Sequence, residues 1–173
     1  MARYLILDGY NVIGALRRYS IPSITGLNES RELLVNDALK AAGWMGKQII
    51  VVFDAAQNRE LGRTELRAGG VVHVIYSGPK ESADDVIERL VKSLKDAATV
   101  CTADFSLQRA VLAHGAARLA PHEFEELLNE LPATTRLQLL LFTVTGPFTR
   151  SVRETLLSLM TADEDSDSSP PPP

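Results

Sequence analysis

The 173-residue sequence has few residues of the kinds that build disulfide or zinc sites. Its single cysteine, Cys101, lies inside an apolar run and cannot form an intramolecular disulfide, so we interpret it as a small buried hydrophobe. The three histidines have no metal-ligand spacing between them, which argues against zinc. They are His73, His114 and His122. A disulfide-stabilised scaffold is therefore excluded, and a zinc enzyme is disfavoured.

Long hydrophobic runs are absent as well. No uncharged stretch reaches the ~18 residues expected of a membrane helix, and the apolar run at 137–144 is too short. The N-terminus leads directly into a strand-like segment, so we expect no separate signal peptide. We therefore expect a cytoplasmic protein that has no membrane partner.

The sequence also lacks the common glycine motifs of nucleotide and acyl chemistry. It has no Gly-x-x-x-x-Gly-Lys-Ser/Thr loop, and no Gly-x-Gly-x-x-Gly follows the first predicted strand. It has no Gly-x-Ser-x-Gly turn for a nucleophilic serine. Nucleotide cofactors and serine-hydrolase chemistry therefore have no support.

The excess of acidic residues is confined to one end of the chain. The net charge of −4 reflects four acids near the C-terminus: Asp163, Glu164, Asp165 and Asp167. Residues 1–162 hold 18 basic and 18 acidic side chains. We expect 1–162 to form one domain and the acidic, proline-ended segment 163–173 to be disordered. If several acids of the domain converge on one site, the remaining surface carries a basic excess that suits a polyanionic partner.

Segments typical of strands and helices alternate along the chain. The predicted strands are 4–7, 48–53, 71–76, 99–102 and 116–119. The predicted helices are 29–44, 82–98, 104–113, 121–131 and 147–160. This alternation predicts an α/β fold, a three-layer α/β/α sandwich with a mainly parallel sheet. The polar segment 55–70 is interpreted as a flexible connection that contains a short helix.

Four aspartates come at or soon after the ends of predicted strands: Asp8, Asp54, Asp84 and Asp104. In an open parallel sheet, ligands bind in the crevice beyond the carboxyl ends of the strands. These four side chains are therefore expected to lie together at the edge of the sheet that the carboxyl ends form. Clustered carboxylates repel one another and need a compensating cation, and hard oxygen ligands favour Mg²⁺ or Mn²⁺. The pattern predicts metal-assisted chemistry on a phosphate ester.

Several of these residues also have purely structural interpretations. Asn11, three residues after Asp8, is placed to orient a ligand, a water or the Asp8 carboxylate, but both residues also suit helix caps. Asp54 follows a strand, where acidic residues are routine in α/β turns. The hydroxyl of Thr102 is close enough in sequence to assist Asp104.

One predicted helix carries three further acidic positions. Asp84 and Glu88 form an i, i+4 pair, which is unfavourable unless a cation or a base lies between them. Asp85 is about 100° around the helix from Asp84 and is expected to face solvent. Glu88 is therefore kept as a candidate beside Asp84, whereas Asp85 is not.

Three arginines spaced by four residues lie in the polar segment: Arg59, Arg63 and Arg67. In a helix they would line one face. That face would either be a solvated basic surface or follow the phosphates of a nucleic acid.

The four aspartates lie in four segments: Leu5-Ile-Leu-Asp-Gly-Tyr-Asn-Val-Ile-Gly14, Val51-Val-Phe-Asp-Ala55, Glu81-Ser-Ala-Asp-Asp-Val-Ile-Glu88 and Val100-Cys-Thr-Ala-Asp104. In order and spacing these segments resemble the YacP-like branch of the NYN domain family, whose members are relatives of PIN nucleases. The resemblance covers roughly residues 2–160. It implies a PIN-like α/β/α fold, metal-dependent endoribonuclease activity, and cleavage of mRNA linked to the ribosome.

The same resemblance assigns residues position by position. The matching acidic metal ligands are Asp8, Asp54, Asp84 and Asp104, with Asn11 and Glu88 as supporting positions. Gln108 matches a glutamine of the family to which we assign no role. The sequence departs from the family in three places. It has Ala103 where serine is frequent, its loop after Asp54 lacks the usual glycine-rich start, and its acidic, proline-ended C-terminal tail lies outside the family pattern.

The sequence hypothesis is a single-domain endoribonuclease that uses Mg²⁺ or Mn²⁺ and acts on RNA. The alternative is an RNA- or ribosome-binding module that keeps the acidic edge without cleaving. A receiver-like phosphoacceptor would need an acid pair after the first strand and a lysine after the last. Asp8-Gly9 and Ala120-Pro121 supply neither.

Overall fold

A computed structural model of the chain describes residues 2–20, 26–55 and 62–131. Six strands are present in this part: β1 Tyr4–Asp8, β2 Gln48–Phe53, β3 Thr64–Arg67, β4 Val72–Tyr76, β5 Ala98–Cys101 and β6 Ala117–Leu119. Five α-helices accompany them: α1 Gly9–Ala15, α2 Gly26–Met45, α3 Ala83–Leu94, α4 Phe105–Ala113 and α5 Pro121–Asn129. Short 3₁₀ turns cover Arg17–Tyr19, Ala68–Gly70 and Lys95–Ala97.

The strands form one sheet in the order β3-β4-β2-β1-β5-β6. All pairings are parallel except that of β3 with β4, which is antiparallel. The central strands are apolar on both faces because helices cover both faces, as parallel sheets require. The predicted α/β/α sandwich with a mainly parallel sheet is confirmed.

Two hydrophobic cores lie on opposite faces of the sheet. On one face α1, α2 and α5 pack on alternate strand residues, among them Leu7, Val51 and Phe53. On the other face α3 and α4 pack on the intervening residues, such as Ile6 and Val52. This alternation follows from the two-residue period of a strand.

The strand order creates a crevice between β1 and β5. From β1 the chain builds outward through β2 to β4, then returns through α3 to add β5 on the other side of β1. As a result α1 and α4, which follow these two neighbouring strands, belong to opposite helix layers. Such a switch point is where open α/β sheets bind ligands.

The structure corrects three predicted elements. Within 55–70, residues Thr64–Arg67 form an edge strand rather than a short helix, since an edge strand tolerates charged side chains. Helix α2 begins at Gly26 instead of 29, and α3 ends at Leu94 instead of 98, where Lys95 takes a positive φ of 50°. The predictions for 137–144, 147–160 and the tail 163–173 fall outside the described residues. Within the described ranges, no helix has the length and apolar character needed to cross a membrane.

Candidate active site

A buried hydroxyl joins two of the predicted aspartates across the crevice. Asp8 ends β1 and Thr102 follows β5, and these strands are parallel neighbours with Leu7 opposite Cys101. Thr102 is 0% exposed, and its Oγ1 donates a hydrogen bond of 2.9 Å to Oδ2 of Asp8. The same oxygen accepts the backbone N–H of Asp104 at 3.0 Å. One side chain therefore sets the position of both acids.

Side chains from both helix layers hold the end of β5. Asn11 of α1 accepts the backbone N–H of Ala103 through Oδ1 at 2.6 Å. Gln108 of α4 donates from Nε2 to the carbonyl of Thr102 at 2.8 Å. Asp104 caps α4 by accepting the N–H of Leu107 at 2.8 Å. The backbone between β5 and α4 is thereby tied to the helices on both sides of the crevice.

The carboxylates perturb one another electrostatically. Burial is the largest cause that raises the pKa of Asp8 from 3.8 to about 6. Hydrogen bonds from the Thr102 hydroxyl and the Asn11 backbone oppose this rise, whereas the negative charges of Asp84 and Asp104 add to it. Desolvation raises the pKa of Asp84 as well, followed by the charges of Asp104, Asp85, Glu88 and Asp54. Asp8, Asp54, Asp84 and Asp104 therefore share one electrostatic site, with Glu88 close to it.

The start of α3 separates Asp84 from its neighbour Asp85. Ser82 is the N-cap, and Asp85 completes a capping box by accepting the Ser82 hydroxyl at 2.7 Å and its N–H at 2.9 Å. These bonds lower the pKa of Asp85, which lies in solvent. Glu88, one turn further along, pairs with Lys92 at 3.5 Å.

Asp54 follows β2, and the sequence interpretation missed the residue that holds this strand end. Ser77, fully buried after β4, accepts the N–H of Ala55 at 2.9 Å through its hydroxyl. Its own N–H donates to the carbonyl of Phe53 at 2.9 Å. The available signal was a small polar residue directly after an apolar strand.

Comparison with known proteins identifies the family. The family model "YacP-like NYN domain" matches residues 5–141. The Bacillus subtilis protein YacP is 33% identical over 135 residues, which cover 76% of each chain. This chain belongs to the YacP-like NYN domain family.

Solved structures agree with this assignment. The crystal structure of Rae1 (YacP) from Bacillus subtilis is 26% identical, has a TM-score of 0.64, and covers 95% of each chain. A mutant of the same Bacillus subtilis protein, with leucine in place of one tryptophan, matches with the same score over 96% of this chain and 100% of that one. The fold of this NYN domain is therefore the PIN-like α/β fold, and its family points to a nuclease-type, RNA-related function.

The donor set of the NYN site suits a hard divalent cation. Its charged groups are carboxylates, and within the described residues Asp8, Asp84 and Asp104 form no ion pair with lysine or arginine. No group of three His, Cys, Asp or Glu side chains in the described part of the chain is close enough to hold an ion. Mg²⁺ usually keeps several waters and binds through one or two carboxylates, so this open arrangement fits such an ion.

The arginines predicted to bind RNA do not share a helical face. Arg59 lies outside the described residues. Arg63 is next to the end of β4, whereas Arg67 pairs with its start, because β3 runs antiparallel to β4. Glu65 forms ion pairs with both, at 3.3 Å and 2.8 Å. Of the two arginines that the structure describes, Arg63 is the one that lies towards the edge with the aspartates.

The other reactive residues considered in the sequence lie inside the fold. His73 is buried in β4, where burial lowers its pKa to about 4 and Nε2 lies 3.0 Å from the carbonyl of Gly70. Burial also raises the pKa of the Cys101 thiol. Both groups are therefore neutral at physiological pH, as expected for core residues.

Proposed function

We propose that this protein is a divalent-metal-dependent endoribonuclease that hydrolyses phosphodiester bonds of RNA. The observation that carries the proposal is the convergence of Asp8, Asp84 and Asp104 at the switch point of the sheet, with no cationic partner among the described residues. A protein that gathers acids in this way places a high negative potential where a cation and a phosphate can meet. Membership in the YacP-like NYN family supports the same chemistry.

Asp8, Asp54, Asp84 and Asp104 would hold the ion, which we propose to be Mg²⁺ or Mn²⁺. One or two of these carboxylates would bind it directly and the others would bind its waters. When bound, such an ion polarises the phosphodiester and neutralises the charge that develops on it. Glu88 would bind a water of the ion or contribute a further oxygen. Asn11 and Thr102 position the acidic groups by holding the ends of β1 and β5 together.

The substrate we propose is mRNA, cleaved in a ribosome-linked context in the cytoplasm. The support for this part is the resemblance of the four acidic segments to the YacP-like branch. Arg63 is a proposed contact for the RNA phosphates, with Arg59 and Arg67 as further candidates; Arg67 lies at the far end of β3, so it would contact RNA at a distance from the acidic site. The guanidinium groups of Arg63 and Arg67 are both more than a third exposed and could reach a phosphate, although the Glu65 carboxylate that they share is only 18% exposed and Arg67 also pairs with Glu32 at 3.0 Å.

The test is cleavage of an end-labelled RNA with Mg²⁺, with Mn²⁺ and with EDTA. We expect cleavage with either ion by the wild type and background cleavage by Asp8→Asn, which keeps the size of the side chain. Asp96→Asn is the matched control, since Asp96 lies in the turn before β5, at the opposite edge of the sheet. Undiminished cleavage by folded Asp8→Asn would refute the assignment.

The ribosome-linked context is tested separately with one mRNA, either free or bound to ribosomes. We expect faster cleavage of the ribosome-bound mRNA. Binding of RNA without cleavage under any divalent ion would instead identify the non-cleaving RNA-binding module.

A further inference from the structure

Helix α4 presents an aromatic ring to solvent directly beside the acidic site. Phe105, the residue after Asp104, is 71% exposed, the highest value among the large hydrophobic residues described. It belongs to neither hydrophobic core, whereas Leu107 and Val111 of the same helix are buried. The ring therefore contributes little to either core and is free to contact a ligand. A single exposed apolar residue is ordinary on a protein surface, so the position of this one is what matters: it lies directly after Asp104, at the start of α4.

The backbone that carries this ring is held by the site itself. Asp104 donates its N–H to Thr102 at 3.0 Å and accepts the N–H of Leu107 at 2.8 Å, and these bonds bracket Phe105 in the chain. Gln108 in the next turn donates to Thr102 as well, at 2.8 Å. The backbone of Phe105 is thus held beside Asp104 before any ligand binds, and the ring extends from it into solvent.

A cation lies one turn further along the same face of α4. Arg109 is four residues after Phe105, is exposed, and forms no ion pair within the described residues. Residues four apart in a helix are surface neighbours. The pair therefore offers a flat apolar surface next to a positive charge.

Nucleic acid is the ligand class that this combination fits. An RNA strand that approaches several carboxylates is repelled through its phosphates, so contacts that do not depend on phosphate charge are needed close to the acids. Stacking of a base on an aromatic ring is such a contact, and it accepts any base. Arg109 would bind a phosphate at a distance from the acids, where the repulsion is weaker.

We propose that Phe105 and Arg109 form a binding strip for single-stranded RNA, in which an unpaired base next to the cleaved bond stacks on Phe105 and a neighbouring phosphate contacts Arg109. This inference rests on the nuclease function proposed above. It predicts that the site selects unpaired RNA, since a base within a duplex cannot stack on a protein ring.

The experiment measures KM and kcat for a short single-stranded oligoribonucleotide with Mn²⁺, and Kd by fluorescence anisotropy in EDTA. We expect Phe105→Ala to raise Kd and KM about 5- to 150-fold, the effect of losing one stacked base, with kcat nearly unchanged. Phe105→Leu keeps apolar surface without a ring and should lose a similar factor, whereas Phe105→Tyr should bind like the wild type. Arg109→Gln should weaken binding and reduce its salt dependence.

Two controls separate stacking from nonspecific effects. Trp44, also aromatic and 49% exposed, lies near the end of α2 at the opposite edge of the sheet, so Trp44→Ala should leave RNA binding unchanged. Leu112→Ala removes a 53% exposed residue that lies beyond Arg109, two turns from Phe105 on the same face of α4. It leaves the ring and the guanidinium in place, so it should weaken binding far less than Phe105→Ala does. An oligonucleotide that lacks the stacked base should bind the wild type and Phe105→Ala equally.

The outcomes distinguish this inference from the proposed function. If the wild type cleaves RNA and Phe105→Ala or Phe105→Leu retains its KM and Kd, the stacking inference is wrong and the nuclease stands. If the wild type binds the oligonucleotide in a ring-dependent manner but never cleaves it, the stacking contact on Phe105 stands, whereas the nuclease function and the position of the base next to a cleaved bond are wrong. Absence of both binding and cleavage overturns both.

Discussion

Asp8→Asn should stabilise the metal-free protein while it removes activity. The pKa of Asp8 is about 6 in the fold and 3.8 as its ordinary value, chiefly because the carboxyl is buried, with 6% of the residue exposed. Below pH 4 the group is protonated in the folded and unfolded states and has no effect. Above pH 6 it is ionised in both, and the fold bears the cost of burying the charge. Stability is therefore lost as the pH rises from about 4 to about 6.

The size of this effect follows from the pKa difference. A shift of about two pKa units corresponds to about 3 kcal/mol of unfolding free energy at neutral pH. Asparagine carries no charge, and its Oδ1 can still accept the Thr102 hydroxyl. We expect Asp8→Asn to gain about 1–3 kcal/mol at pH 7.5, which raises Tm by about 2–4 °C per kcal/mol for a chain of this length.

The assay is thermal unfolding followed by circular dichroism in EDTA at pH 7.5 and at pH 4. The gain should be present at pH 7.5 and nearly absent at pH 4. Asp85→Asn is the contrasting variant, because hydrogen bonds from Ser82 lower the pKa of Asp85, so its replacement should reduce stability. A lower Tm for Asp8→Asn than for the wild type at pH 7.5, or a gain in Tm that does not depend on pH, would refute the conclusion that ionised Asp8 destabilises the fold.

Three further predictions concern the same region. Thr102→Val should lower the free energy of unfolding by about 1–3 kcal/mol, measured by melting, because it leaves the Asp104 N–H without its partner and the Asp8 carboxylate with only the Asn11 N–H. Thr99→Val on the same strand should be nearly neutral. Gly9→Ala should cost about 1–3 kcal/mol, since its Cβ would lie 2.4 Å from the Phe53 ring, whereas Gly14→Ala in the same helix meets nothing within 4 Å and should not destabilise. Equal melting of the two glycine variants would contradict this packing. Mg²⁺ should stabilise the wild type by about 2.7 kcal/mol at a hundredfold excess over its Kd, but not Asp8→Asn; an equal shift in both would place the ion elsewhere.

The sequence predicted the parts of the fold that depend on local pattern. Short β-branched runs alternating with amphipathic segments indicated the parallel sheet, and the shared direction of its strands placed Asp8, Asp54 and Asp104 at one edge. The antiparallel strand β3 was missed because Glu65 and Arg67 resemble a solvated loop, and strand propensity depends strongly on context.

Contacts between distant residues were the other part that the sequence could not predict. The bond from Thr102 to Asp8 joins residues 94 positions apart. Which atoms meet depends on the register of β1 against β5, which no short segment contains. The role of Gln108 was unassigned for the same reason, and it became visible only as a bond to the Thr102 carbonyl.

The hydroxyl of Thr102 contacts both Asp8 and Asp104, so the effect of a substitution at one of them depends on the residue at the other. A hydroxyl has a single proton, and because the Asp104 N–H already donates to this oxygen, its own proton is directed to Asp8. Replacing Asp8 therefore changes the orientation of the hydroxyl that holds the Asp104 N–H, and replacing Asp104 removes a charge that raises the pKa of Asp8. Substitutions at Asp8 and Asp104 should combine non-additively, so variation at one position constrains which residues the other can accept.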